Sequence, residues 1–181
     1  MSSDRKNLRM AKLAPGLKPQ PGGQGDTNPV LLLATAVSYA SAGAVSEKQS
    51  NAHIPALYLL AGFSIELSLK AFILQKANQP AELFAIGHDL EKAWKRALAL
   101  GMDLSQSTIS PEDFSWLIAA SAPHHKAITF RYLPDVQPFI AKAAPPDMIK
   151  GAGALCALVA QYVPMPRNDE RPPLPKERRP R

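Results

Sequence analysis

One cysteine, Cys156, is all the thiol chemistry this sequence carries. No disulfide can form within the chain, which suits a reducing cytoplasm. Uninterrupted apolar runs are also missing. The longest apolar stretch, residues 54–74, contains Pro55, Gly62, Ser64, Glu66, Ser68 and Lys70. A bilayer-spanning helix needs about 20 apolar residues with few or no charges, so a buried core helix without membrane association is expected there. The first residues are basic but hold no apolar segment, so no signal peptide is expected. Residues 28–163 have no charge imbalance, with ten basic and ten acidic side chains. The net charge of +6 therefore resides in the ends, and a basic face for nucleic acid is not indicated by count. Basic arms can still add non-specific attraction to phosphates. There is no P-loop, no dinucleotide fingerprint and no Gly-x-Ser-x-Gly elbow. No internal repeat and no alternating strand pair is visible either.

What is present is a helical pattern of a size suited to one domain. Residues 1–27 mix Pro15, Pro19, Pro21 and four glycines with polar side chains and are expected to be a disordered basic arm. Residues 164–181, with six prolines and many charges, are expected to be a disordered tail. Between them, at 28–163, about five helices are expected. The first begins at Asn28-Pro29, a cap followed by proline at the first helical position, and reaches about Val45. The second is the 54–74 stretch, continued to Lys76 or Ala77 and nearly apolar all round, as a central helix should be. Residues 81–87 read as a connection. The third helix carries Leu90, Ala93, Trp94, Ala97 and Leu98 on one stripe, with Asp89 as its cap and Gly101 as its stop. Its other face, Glu91, Lys92, Lys95 and Arg96, reads as solvated. The fourth opens at Ser110-Pro111 and buries Phe114, Leu117, Ile118 and Ser121, with Pro123 expected to perturb or end it. The last runs from about Asp147 to Val163, where Gly151 and Gly153 either weaken it or permit close helix contact. The class is thus all-α, an up-and-down bundle.

The chemistry-bearing residues are few. Glu66 and Lys70 lie four apart, the favoured order for an ion pair on one helix face. Such a pair in an apolar helix must stay partnered, because an isolated buried charge is very costly. It is either a structural pair or part of a functional site. His88-Asp89 reads in two ways. Asp89 caps a helix with His88 packed nearby, or His88 joins Glu66 and Lys70 in a polar cluster as an acid, base or ligand. His124 and His125 are adjacent, and adjacent helical residues point about 100° apart, so together they make a poor metal pair. No ligand spacing involves Cys156 or the carboxylates, and neither a metal nor another cofactor is expected. Arg131-Tyr132 falls on a predicted turn, where it can hold an anion or stack on a base, or else bridge helix ends.

Taken in order, Leu60-Ala61-Gly62-Phe63-Ser64-Ile65-Glu66-Leu67-Ser68-Leu69-Lys70-Ala71, then Gly87-His88-Asp89-Leu90, then Phe130-Arg131-Tyr132, the sequence resembles the HEPN superfamily over residues 28–163. The resemblance implies an all-α bundle, commonly a homodimer, and the single cysteine and the lack of a signal peptide suit the cytoplasm. It places Glu66, Lys70, His88, Asp89, Arg131 and Tyr132 in a ligand site or polar network. Many HEPN proteins are metal-independent ribonucleases of toxin–antitoxin and phage-defence systems, with an arginine followed four to six residues later by a histidine. No histidine follows Arg131 at that spacing. A nuclease would need a non-standard pair, Arg131 with His124 or His125. Other HEPN domains are non-catalytic and bind a nucleotide, RNA or a protein partner such as a nucleotidyltransferase. The missing motif and the neutral middle favour a non-catalytic module, with an RNA endonuclease as the alternative. A third reading is structural, with Glu66, Lys70, His88 and Arg131 in one buried network that fixes the bundle register.

Overall fold

In a computed structural model, residues 28–49, 53–127 and 142–164 are described. The described residues form an all-α bundle of six helices and no strand. These are α1 (Pro29–Glu47), α2 (Ile54–Ala77), α3 (Pro80–Ile86), α4 (Leu90–Ala99), α5 (Pro111–Lys126) and α6 (Pro145–Val159). The two expected disordered ends, apart from Pro164, and the Arg131-Tyr132 turn lie outside the described residues.

Local chemistry explains the boundaries. The Asn28 side chain accepts from the backbone N–H groups of Val30 and Leu31 at 2.9 and 3.3 Å. Asp89 does the same for Lys92 at 3.0 Å, and Ser110 for Asp113 at 3.1 Å. Each satisfies a donor that the first helical turn leaves free. Two expectations are corrected and one is narrowed. Residues 80–86 form a helix rather than a connection, because Pro80 starts it, Glu82 suits its first turn, and Leu83 and Ile86 bury one side. With it the described residues hold six helices, in keeping with the bundle of about five expected. Of the two outcomes expected at Pro123, to perturb or to end α5, the second does not occur, since the helix continues to Lys126. Proline forfeits one backbone hydrogen bond and crowds the carbonyl four residues earlier, here that of Ala119. Both Ala119 and Pro123 are exposed, so water can serve the freed carbonyl. Finally, α6 begins at Pro145 and ends at Val159, two residues earlier than expected at its start, while Tyr162 and Val163 form the following turn. Leu98, placed on the buried stripe of α4 by its spacing, is 40% exposed.

Helix α2 is the axis of the bundle and packs against all five other helices. Its Ile65, Leu69, Phe72 and Ile73 are fully enclosed together with Leu33 of α1, Leu90 of α4 and Leu155 of α6. Each such side chain contributes about 1.5–3 kcal/mol relative to exposure. Three polar side chains on α2 are also buried, Ser64, Glu66 and Ser68. The serine hydroxyls lie 3.4 and 3.3 Å from the Cys156 sulfur of α6, so each has a partner at the α2–α6 seam. Gly151 of α6 lies directly on Leu117 of α5, the close contact its size allows.

Both α1 and α2 have the length and hydropathy of membrane-spanning segments. In α2, 72% of the apolar window is buried within the bundle, as befits a core helix, whereas in α1 only 22% is.

Candidate functional site

The buried Glu66 carboxylate, halfway along α2, is the centre of the site. A charge there requires partners, and three arrive from three parts of the chain. Lys70, one turn later on α2, donates to Oε1 at 2.6 Å. His88, from the turn between α3 and α4, donates from Nδ1 to Oε2 at 2.9 Å. His125, from the last turn of α5, donates from Nε2 to the same oxygen at 2.5 Å. An ionised carboxylate only accepts hydrogen bonds, so each imidazole must present an N–H to it. The tautomers of both rings follow from this one charge.

The backbone prepares these positions. Gly87 closes α3 at φ +60°, a conformation that side chains disfavour, and so turns the chain to bring His88 over α2. Gly62 lies beneath the His125 ring. A Cβ at that position would sit 2.6 Å from Nδ1, inside contact distance, so only glycine leaves room for the imidazole. Phe63 meets His125 edge-on, with centroids 5.1 Å apart and planes at 74°. It also faces His88 at 6.3 Å and Tyr39 of α1 at 5.9 Å. Asp89 performs two tasks. Beyond capping α4, it accepts from Lys126 Nζ at 2.7 Å. That bridge joins the residue after His88 to the residue after His125 and ties both histidine-bearing segments together.

Burial by itself would push the Glu66 carboxyl up. The hydrogen bond from His125, the charge of Lys70 and the hydrogen bond from His88 outweigh it and hold the group at about 2. Glu66 is therefore an anion throughout the physiological range. The Asp89 carboxyl is lowered as well, first by its hydrogen bond from Lys126 and then by the backbone N–H of Lys92.

The cluster opens on one side into a pocket of about 420 Å³. Tyr39, Phe63 and Phe84 supply its aromatic faces, and Glu66, Lys70 and His88 its polar groups. The His88 side chain is 43% exposed, whereas that of His125 is only 3% exposed. His88 can thus touch a ligand, and His125 lies behind it. A second cavity of about 290 Å³, lined by Asp113, Trp116, Asp147 and Lys150 among others, holds none of the cluster residues. Chemistry favours the first.

Of the residues singled out in the sequence, the structure brings together Glu66, Lys70, His88 and His125, with Asp89 beside them. The two readings of His88-Asp89 are both present at once, cap and cluster. His124 has no place in the described group of metal-binding atoms, which takes His125 instead. Arg131 and Tyr132 lie outside the described residues. Sequence reasoning missed Gly62, Phe63, Tyr39 and Phe84. Phe63 carried a readable signal, since it precedes the bracket of Glu66 and Lys70 on the same helix, but its role depends on which helices face it. Arg96, read as solvated, instead pairs with Glu82 of α3, its Nε 2.5 Å from the carboxylate.

The metal question also changes with the tertiary structure. Oε2 or Oε1 of Glu66 and one ring nitrogen each from His88 and His125 lie within 4.8 Å of one another. His88 and His125 are 22 and 59 residues beyond Glu66, spacings that match no ligand motif.

No protein-family model, curated protein or solved structure matches this chain. The class is therefore defined by fold and site, an all-α bundle with a carboxylate–bis-imidazole cluster at the base of an aromatic pocket. More particularly, it is a bundle whose central helix carries the anion and whose pocket presents one imidazole and one ammonium group.

Proposed function

We propose that this chain is a non-catalytic, HEPN-like binding module of the cytoplasm whose ligand is a nucleotide. The observation that carries the reading is the composition of the pocket. It combines the rings of Tyr39, Phe63 and Phe84 with Lys70 and His88 in about 420 Å³. That volume falls within the size range of small-molecule sites. Aromatic faces stack any base, and a lysine ammonium is a point charge suited to phosphate. The test is calorimetric titration of the full chain with adenosine, guanosine, cytidine and uridine mono- and triphosphates in EDTA. Saturable binding by at least one of them is expected, weakened roughly fivefold or more by Phe63→Leu through lost stacking. Absence of saturable binding across the panel would remove the reading, as would full affinity in the Phe63→Leu variant.

A second reading, a metal-independent RNA endonuclease, draws support from the His88–Glu66 pair. A buried carboxylate that orients an exposed imidazole is the arrangement of a general acid or base. In this reading His88, rather than the enclosed His125, meets the substrate. Incubation with total RNA in EDTA separates the two readings. Cleavage by the wild type that His88→Ala and Arg131→Ala abolish would favour the nuclease.

A further inference from the structure

We infer that Glu66, His88 and His125 form a binding site for a divalent first-row transition metal ion, with Zn²⁺ as its simplest occupant. The inference stands on the cluster itself and goes beyond the nucleotide reading. Two imidazoles and one carboxylate are the protein ligands of a common class of metal sites with three protein donors and a further position left open. Here the three donors come from α2, the turn before α4, and the end of α5, and their ligand atoms converge within 4.8 Å. Ligands around a tetrahedral zinc lie about 3.3 Å apart, given bonds of about 2.0–2.1 Å. The two imidazole nitrogens are now 2.9 and 2.5 Å from Glu66 Oε2. Admitting the ion therefore requires each imidazole nitrogen to part from Oε2 by less than about 1 Å, while the two nitrogens, within 4.8 Å of each other, settle to the same spacing. Each imidazole moves its proton to its other ring nitrogen and offers the vacated lone pair to the metal.

The surroundings suit a ligand set. Lys70 occupies Oε1 at 2.6 Å and leaves Oε2 turned toward the two imidazoles. Hydrogen bonds that orient a ligating carboxylate in this way are a regular part of metal sites. Gly62 supplies the space that lets the His125 ring reach the cluster from behind. The Asp89–Lys126 bridge links the two histidine-bearing segments beside the site. The exposed side of His88 places the open position toward the pocket, where water or a ligand oxygen completes the coordination.

The test uses the full chain, stripped with a chelator and then dialysed against Zn²⁺. Retention of one equivalent per chain and a raised Tm are expected, and Co²⁺ in place of Zn²⁺ should show visible absorption that reports imidazole ligation. His88→Ala replaces an exposed side chain and should keep the helical circular dichroism while lowering Zn²⁺ affinity at least about tenfold, the scale seen for partners of metal ligands. His124→Ala, outside the three ligands, should leave the Zn²⁺ affinity unchanged. Failure of the wild type to retain zinc would overturn the inference. So would equal affinity in wild type and His88→Ala, which would put the ion elsewhere on the chain. Nucleotide titrations are run in chelator, so they succeed or fail independently of this result.

Discussion

Replacing Glu66 by glutamine removes the one charge around which three side chains are arranged. The folded protein holds this carboxyl at about 2 against an ordinary value of 4.5. The difference corresponds to about 3 kcal/mol of stability, at roughly 1.4 kcal/mol per pKa unit. Because the folded value is the lower one, the unfolded chain takes up the proton first as pH falls. The contribution is thus complete above about pH 5.5 and is lost progressively through 4.5 toward 2, with about 2 kcal/mol gone by pH 3. Glutamine cannot titrate, and its single carbonyl cannot serve both imidazoles and Lys70. Urea denaturation in EDTA, for wild type and Glu66→Gln between pH 7 and 3, measures the effect. At pH 7 the variant should be less stable by about 3–5 kcal/mol, the usual cost of removing one partner from a buried charged cluster. The gap should then shrink by about 2 kcal/mol on going to pH 3. A gap that stays constant over that range would mean that Glu66 titrates normally and that its partners do not stabilise its charge.

Other substitutions probe the scaffold. Gly62→Ala should drive its Cβ into the His125 ring and destabilise the fold by about 1–3 kcal/mol, as overpacking does, measured by thermal unfolding. The displaced ring would also separate from Glu66, visible as a shifted His125 resonance in NMR spectra. Phe72→Ala, at a fully enclosed position of α2, should cost about 3–5 kcal/mol in chemical denaturation. Asp89→Ala removes the α4 cap and the bridge to Lys126, and should cost about 1–2 kcal/mol, with a smaller loss for Lys126→Ala.

Much of the helical framework is legible without coordinates because its causes are local. Asn28-Pro29, Asp89 and Ser110-Pro111 start helices through caps within three residues of the groups they satisfy. The failures arise where distant packing overrides a local rule. Residues 80–86 are too few to announce a helix by periodicity, yet Leu83 and Ile86 find the core and hold it. Pro123 is a helix breaker whose cost falls on an exposed carbonyl, and α5 passes through it. Leu98 follows the stripe of α4 but the bundle leaves it 40% exposed.

The site divides along the same line. Glu66 and Lys70 can be paired from the sequence alone, since four residues make one helical turn and the pair needs nothing else. The need of a buried carboxylate for further partners is equally readable. Their identity is not. His125 was one of two adjacent histidines, and the side of α5 that faces α2 depends on how α4, α5 and α2 pack. Only the tertiary structure brings two imidazoles, 22 and 59 residues away along the chain, onto one oxygen. Helical periodicity is a short-range order, whereas the meeting of three segments at a point is set by the shape of the whole core.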